Sequence, residues 1–210
     1  MKQVANILLK IKAVFLNTKK PFTWASGIKS PIYTDNRVII SYPKQRDRIE
    51  SALAKLIKTK FPKTKAIVGT STAGIPHAAY VSKILNMPMA YVRSKAKDHG
   101  RSKAIEGEIA KNTAVVVIED LLSTGNSCLE VVKILRSSKV KVLGVVSIFN
   151  YGMKQCINNF KQSKCISHSL TNLDELLDEA VKGKYIVAKQ KQQIIKFRNN
   201  PQNPNWIKTI

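Results

Sequence analysis

Apolar residues recur at helical spacing from the start of the chain. Val4, Ile7, Leu8, Ile11 and Phe15 fall on one side of a helix predicted over residues 1–16. Residues 22–24 and 32–34 read as two short strands around a Ser26-Gly27 turn, and Pro43 opens a helix that closes near Lys60, ahead of Pro62. From Ala66 the rhythm changes to strand, loop, helix. Strands are predicted at 66–69, 89–93, 114–118 and 142–149, with helices at 73–85 and 128–135. The run Ala114-Val-Val-Val-Ile118 shows no alternation, as expected of a strand buried on both faces of a parallel sheet. The whole pattern predicts an α/β architecture of right-handed βαβ units. Further helices are expected at 173–181 and 188–197, and Pro201 and Pro204 loosen the end.

The strand at 114–118 leads directly into chemistry. Glu119 and Asp120 are predicted at its carboxyl end, and Ser123-Thr124-Gly125-Asn126-Ser127 leads into the next helix. Ligands of open α/β sheets bind at that edge, and a helix start rich in Gly and small polar residues is a ready phosphate cradle. Two carboxylates that accept from ribose hydroxyls, beside N–H donors for a phosphate, suggest a sugar phosphate. A second loop, Gly69-Thr70-Ser71-Thr72-Ala73-Gly74, also joins a strand to a helix. It reads either as an ordinary capped turn or as an anion-facing backbone. Residues 91–107 gather Arg93, Lys95, Lys97, Arg101 and Lys103 around His99 with no apolar periodicity. Such a run is a solvated charge cluster or a basic lid over a polyphosphate. In the segment from Phe22 to Arg37, Lys29 and Arg37 offer cations and Tyr33 a stacking ring; a plain hairpin with solvated charges is the other reading.

The stretch Val115-Val-Val-Ile-Glu-Asp-Leu-Leu-Ser-Thr-Gly-Asn-Ser127 resembles the phosphoribosyl pyrophosphate (PRPP) signature of the type I phosphoribosyltransferases. From about Phe22 to Trp206 the chain is similar to the orotate phosphoribosyltransferases of that family, through the Phe22–Arg37 segment, the Gly69–Gly74 loop and the basic run. The resemblance implies the type I fold, a central parallel sheet flanked by helices with a small amino-terminal α/β hood. It implies a single domain: a hood and base-binding segment over about 1–60, a PRPP-binding core over about 61–170, and a helical tail over about 171–210. It also implies the transfer of the phosphoribosyl group from PRPP to orotate, giving orotidine 5′-monophosphate and pyrophosphate in pyrimidine biosynthesis.

By the same resemblance, Lys97, His99, Glu119 and Asp120 are catalytic. PRPP is bound by Arg93, Lys97, His99, Glu119, Asp120, Leu121, Leu122, Ser123, Thr124, Gly125, Asn126 and Ser127, with Thr70, Ser71, Thr72, Ala73 and Gly74 facing pyrophosphate. Orotate falls to Ser123, Tyr33, Lys29 and Arg37. Magnesium is implied as cofactor, held through PRPP and water with no direct protein ligand, as is a homodimer sharing its lid across subunits. The chain departs from the family at four places. Ala25 stands where many members have Lys, Thr34 where they have a second aromatic, Ser94 where they have Lys, and Asn150-Tyr151-Gly152 where they have an Asp-Arg pair. Orotate's carboxylate thus lacks an obvious Arg partner, and Arg37 is the substitute expected.

Composition narrows the rest. The net charge of +23, from 36 basic against 13 acidic residues, raises nucleic-acid binding. Only seven of the cations are Arg, and the lysines are scattered, whereas base and phosphate recognition leans on Arg. A polyanionic substrate accounts for the charge as well, so no nucleic-acid partner is expected. No apolar run approaches a membrane span, so no membrane partner is expected. Three cysteines without CxxC or metal spacing suit a reducing cytoplasm. His77, His99 and His168 lack ligand spacing. Two alternatives stand beside the orotate reading: transfer to another base, purine or uracil, and a non-catalytic PRPP sensor that binds nucleic acid.

Overall fold

The computed structural model describes residues 2–24, 27–93 and 104–207. Strands β5 (Ala66–Thr70), β6 (Met89–Val92), β7 (Ile105–Glu106), β8 (Ala114–Leu122), β9 (Lys141–Asn150) and β10 (Ser167–Asn172) form one sheet in the order β10-β9-β8-β5-β6-β7. All its pairings are parallel except β6–β7. The expected α/β class with a parallel centre is therefore observed. Every residue of β5 is buried, as are Val115 to Glu119 of β8, so the unbroken apolar runs are strands enclosed on both faces.

From β5 the chain moves outward through helix α3 (Gly74–Leu85) to β6. From β8 it moves the other way, through α4 (Asn126–Ser137) to β9 and α5 (Lys154–Gln162) to β10. With right-handed crossovers, that reversal puts α3 and the α4–α5 pair on opposite faces. It also leaves a crevice beyond the carboxyl ends of β5 and β8, the place where open α/β sheets bind ligands.

Helix α1 (Lys2–Lys10) packs on β10 and on α6 (Leu173–Lys182), while α2 (Pro43–Lys60) packs on α3, β9 and β10. The part of residues 1–60 outside those layers is a pair of small antiparallel sheets followed by a 3-10 helix at Asn36–Ser41. One joins β1 (Val14–Leu16) to β4 (Ile32–Thr34), and the other joins β2 (Phe22–Thr23) to β3 (Lys29–Ser30). Helix α7 (Ala188–Asn199) closes against α6.

Several predicted boundaries are corrected. The first helix stops at Lys10 and not at residue 16, because Lys12 turns left-handed (φ 56°) and the Ala13 N–H reaches back to the Leu8 carbonyl. The freed residues Val14 to Leu16 then pair with Ile32 to Thr34. The strand at 22–23 pairs with Lys29–Ser30 and not with 32–34. Strand β8 continues four residues past Ile118, so the acid pair lies inside its last turn of pleat, and α4 starts at Asn126.

Helix α5 and strand β10 have no counterpart in the predicted pattern. Helix α5 buries only Cys156 and Phe160, a stripe too narrow to stand out. Strand β10 carries Ser and His where an apolar residue is expected, and its Ser169 hydroxyl is satisfied by Ser147 of β9 at 2.7 Å.

Helices α1, α3, α4, α5 and α6 share one ending. A left-handed residue follows each, and the next N–H bonds five residues back, at 2.9–3.0 Å. Glycine is the usual occupant. Here Lys12, Lys139, Lys164 and Lys184 hold four of the positions and Asn86 the fifth.

Candidate active site

Two loops meet at the crevice between β5 and β8. The first leaves β5 at Thr70, whose hydroxyl donates to the Ile118 carbonyl of β8 at 3.2 Å. Ser71 ties the same loop to the other neighbour, its N–H bonding the Val92 carbonyl of β6 at 3.2 Å and its hydroxyl doing so at 2.5 Å. The Ser71–Thr72 peptide is cis. Gly74 then begins α3 so close to β8 that a Cβ there would overlap both Thr70 Oγ1 and the Ile118 carbonyl. Behind the loop, His77 Nδ1 and Glu50 Oε1 form a fully buried contact of 2.5 Å that joins α3 to α2. Burial pushes the Glu50 carboxyl up, and the His77 hydrogen bond partly offsets it.

The second loop leaves β8. Glu119 is buried and accepts from the Asp120 backbone N–H at 2.9 Å. Burial, then the adjacent Asp120 carboxylate, raises Glu119 to about 8, against a smaller downward pull from Thr70. Its neighbour Asp120 is half-buried. Two acids of unequal environment thus share one strand end, one protonated near neutrality in the free protein. Past them, Ser123 and Thr124 lead to Gly125 in the left-handed region (φ 77°), which caps α4. The first N–H groups of a helix have no intrahelical acceptor, so the start of α4 presents donors at the same opening.

Of the expected PRPP residues, the structure brings Glu119, Asp120 and Ser123 to Ser127 together with Thr70 to Gly74. Leu121 is partly buried. Leu122 is fully buried, and its carbonyl is taken by the Tyr151 N–H at 3.0 Å, so its side chain belongs to the core. Arg93 follows β6 beside the Ser71 anchor and pairs with Glu106 at 3.2 Å. Lys97 and His99 lie outside the described residues, as do Ser94, Lys95, Arg101, Lys103 and Ala25.

The side expected to take the base is arranged differently. Tyr33 is 38% exposed, with its ring 5.8 Å from that of Phe22. Lys29 donates to Thr23 at 2.7 Å and lines a hollow of about 350 Å³ with Pro201, Pro204 and Trp206 of the tail. The Arg37 fork is engaged by Asp35, at 2.7 and 2.9 Å. That pairing holds the Asp35 carboxyl below its usual range.

Sequence reasoning missed Asn36, which is buried and donates its amide to the Asp120 carbonyl at 2.8 Å, fastening the hood to the acid pair. It singled out Thr34 and Tyr151 as departures but not their contact: the Tyr151 hydroxyl meets Thr34 at 3.0 Å, and its ring lies 5.7 Å from that of Trp24. The position where an aromatic was expected thus carries a hydroxyl with a partner far along the chain. Neither contact has a signal in periodicity. Among the described residues, no cluster of three or more His, Cys, Asp and Glu side chains is arranged to hold a metal ion, and no helix is long and apolar enough to cross a membrane.

The phosphoribosyl transferase domain profile matches residues 39–174. An orotate phosphoribosyltransferase of Listeria monocytogenes serotype 4b (strain F2365) is 48% identical over 202 residues, covering 96% of this chain and 97% of that one. One from Lactococcus lactis subsp. cremoris (strain MG1363) is 48% identical over 201 residues, 96% of each chain. Among solved structures, the UMP synthase of Leishmania donovani superposes with a TM-score of 0.80 at 29% identity, over 94% of this chain and 42% of that one. The orotate phosphoribosyltransferase of Aeropyrum pernix gives 0.72 at 24% identity, over 84% and 98%, and supports the fold. With the switch-point crevice, the acid pair and both loops in place, the chain belongs to the phosphoribosyltransferase family, on its orotate phosphoribosyltransferase branch.

Proposed function

We propose that this protein transfers the phosphoribosyl group of PRPP to orotate, releasing pyrophosphate and forming orotidine 5′-monophosphate. The observation that carries this reading is the convergence of the Glu119–Asp120 pair with two anion-facing loops at one crevice. The loop from Ser123 to Ser127 takes the 5′-phosphate, the acids take the ribose hydroxyls, and the Thr70–Gly74 loop takes the pyrophosphate. As the bond from the anomeric carbon to pyrophosphate breaks and the bond to the orotate ring nitrogen forms, positive charge develops on the ribose. A fixed carboxylate pair beside it stabilises that charge without reorganisation. Hydrogen bonds donated by the ribose hydroxyls favour the charged form of Glu119 in the complex.

Magnesium suits this donor set. Hard carboxylate oxygens at the edge of the crevice fit an ion that keeps most of its waters, with Asp120 the residue best placed to meet them. When bound with PRPP it supplies charge neutralisation at the pyrophosphate. Lys97 and His99 complete that neutralisation from a lid contributed by the second subunit of a homodimer, and the lid shuts water out. The three cysteines of the chain are buried free thiols, as suits a cytoplasmic enzyme.

The test is base-dependent pyrophosphate release from PRPP with orotate, uracil, adenine and hypoxanthine, with and without magnesium. Turnover with orotate alone, dependent on magnesium, is expected; turnover with a purine or with uracil instead would reassign the substrate. Lys97→Ala should lower kcat by about 100-fold while the dissociation constant of PRPP stays within about threefold. Equal losses in both would remove the lid role.

A further inference from the structure

Helix α5 forms the outer wall of the Ser123–Ser127 loop. Asn159 sends its side-chain amide to two acceptors there, the Thr124 carbonyl at 2.9 Å and Asn126 Oδ1 at 2.7 Å. Phe160 and Cys156 of the same helix close on Gly125. A Cβ at Gly125 would stand 2.6 Å from the Phe160 ring and 3.3 Å from the Cys156 sulfur. The loop is built from small polar residues and is anchored from outside by these three side chains.

The peptide that Asn159 grips is the one that needs gripping. A trans peptide points its carbonyl and the following N–H in opposite directions. Gly125 lacks a Cβ, so the plane of the Thr124–Gly125 peptide turns over at little steric expense. In one orientation the loop offers a donor to an anion; in the other it offers a carbonyl oxygen, which repels one. We propose that Asn159 is the positioning residue of this loop. By holding the Thr124 carbonyl outward, it locks the Gly125 N–H toward the 5′-phosphate. This rests on the reading that the loop takes the sugar's phosphate.

The experiment compares Asn159→Ala and Asn159→Asp with the unaltered protein. Titration calorimetry measures ribose 5-phosphate and pyrophosphate separately, and steady-state kinetics measure both substrates. Asn159→Ala should weaken ribose 5-phosphate about tenfold and raise the KM for PRPP by a similar factor, while pyrophosphate affinity and the KM for orotate stay within about twofold. Asn159→Asp, isosteric and unable to donate to the carbonyl, should lose at least as much, and it tests the idea should the alanine variant not fold. A parallel loss for ribose 5-phosphate, pyrophosphate and orotate would reduce Asn159 to general support and overturn the proposal. Unchanged ribose 5-phosphate affinity in both variants would overturn it alone. Failure of the unaltered protein to bind ribose 5-phosphate or PRPP would overturn the underlying reading with it.

Discussion

The edge proposed to take the sugar phosphate and the side proposed to take the base are built on different plans. At the first, Thr70 to Gly74 and Glu119 to Ser127 are each a short run of chain at a strand end, tied mainly to the adjacent strands, with Asn159 of α5 as the added support of the second loop. At the second, local pairs such as Lys29 with Thr23 and Arg37 with Asp35 are set in place by contacts between distant parts of the chain: Asn36 to Asp120, Thr34 to Tyr151, and Lys29 beside the carboxyl-terminal tail. Phosphate recognition centres on a tight turn, a glycine and a helix start, which a local sequence supplies. Recognition of a flat anionic base needs side chains brought in from several elements at once. The first plan resists substitution of backbone-shaping residues least; the second tolerates loss of single charges best.

The sharpest way to break that contrast is Gly74→Ala. With no room against Thr70 Oγ1 and the Ile118 carbonyl, an added methyl must displace the Thr70 side chain and lift the start of α3 from β8. Turnover should fall by about 1,000-fold, because a small displacement at the reacting centre is costly. Activity close to that of the unaltered protein would show that the loop's shape is not what matters.

Glu119→Gln comes next. Its turnover should fall by about 100-fold, the scale of removing one preorganised electrostatic partner. The free protein should respond in the opposite sense. A buried acid raised to about 8 leaves folding unpenalised below the unfolded carboxyl pKa and penalises it progressively as pH rises through 8. Glutamine mimics the protonated form, so the variant's Tm should match the parent near pH 4 and exceed it above pH 8. Equal melting temperatures across that range would show that Glu119 is charged in the free protein.

On the base side smaller effects are expected. Tyr33→Ala should raise the KM for orotate about tenfold through loss of a stacking face. Arg37→Ala should change it by less than about threefold, since its fork is already engaged by Asp35 on an exposed surface. If Arg37→Ala proved the larger, the guanidinium must leave Asp35 for the orotate carboxylate. The smallest effects should come from the helix ends. Lys139→Gly, Lys164→Gly and Lys184→Gly should each stabilise the protein by up to about 1 kcal/mol with unchanged kinetics, because glycine adopts the left-handed turn without the strain a Cβ brings.

The same contrast explains what was readable beforehand. Strands β5 and β8 announce themselves because a strand covered on both faces must be apolar throughout, and the acids that interrupt β8 are conspicuous for that reason. Helix α5 and strand β10 were silent. Helix α5 buries only Cys156 and Phe160 in a short, otherwise polar segment, and the polar residues of β10 are satisfied by hydrogen bonds such as Ser147 to Ser169, so neither carries an apolar run long enough to stand out. Asn159 and Asn36 were silent too, since an amide that serves a distant carbonyl looks like any surface amide in the chain. Arg37 and Lys29 were visible as charges, but whether a charge is free or already engaged depends on neighbours that folding selects. The four lysines at left-handed helix ends mislead in another way. A helix stop is usually read from glycine, and here hydrogen bonding of the chain end imposes the turn on a residue that does not favour it.

From the sequence alone came the alternation of the core, the family resemblance and the two Gly-containing strand-to-helix loops, because each is set by residues within a few positions of one another and by the solvent they avoid. Tertiary structure alone decided where the hood is fastened, which cations are already paired, and which helix holds the Ser123–Ser127 loop from outside. Those outcomes depend on contacts between distant segments, such as Thr34 and Tyr151, 117 positions apart, which local propensity and hydrophobic period do not encode.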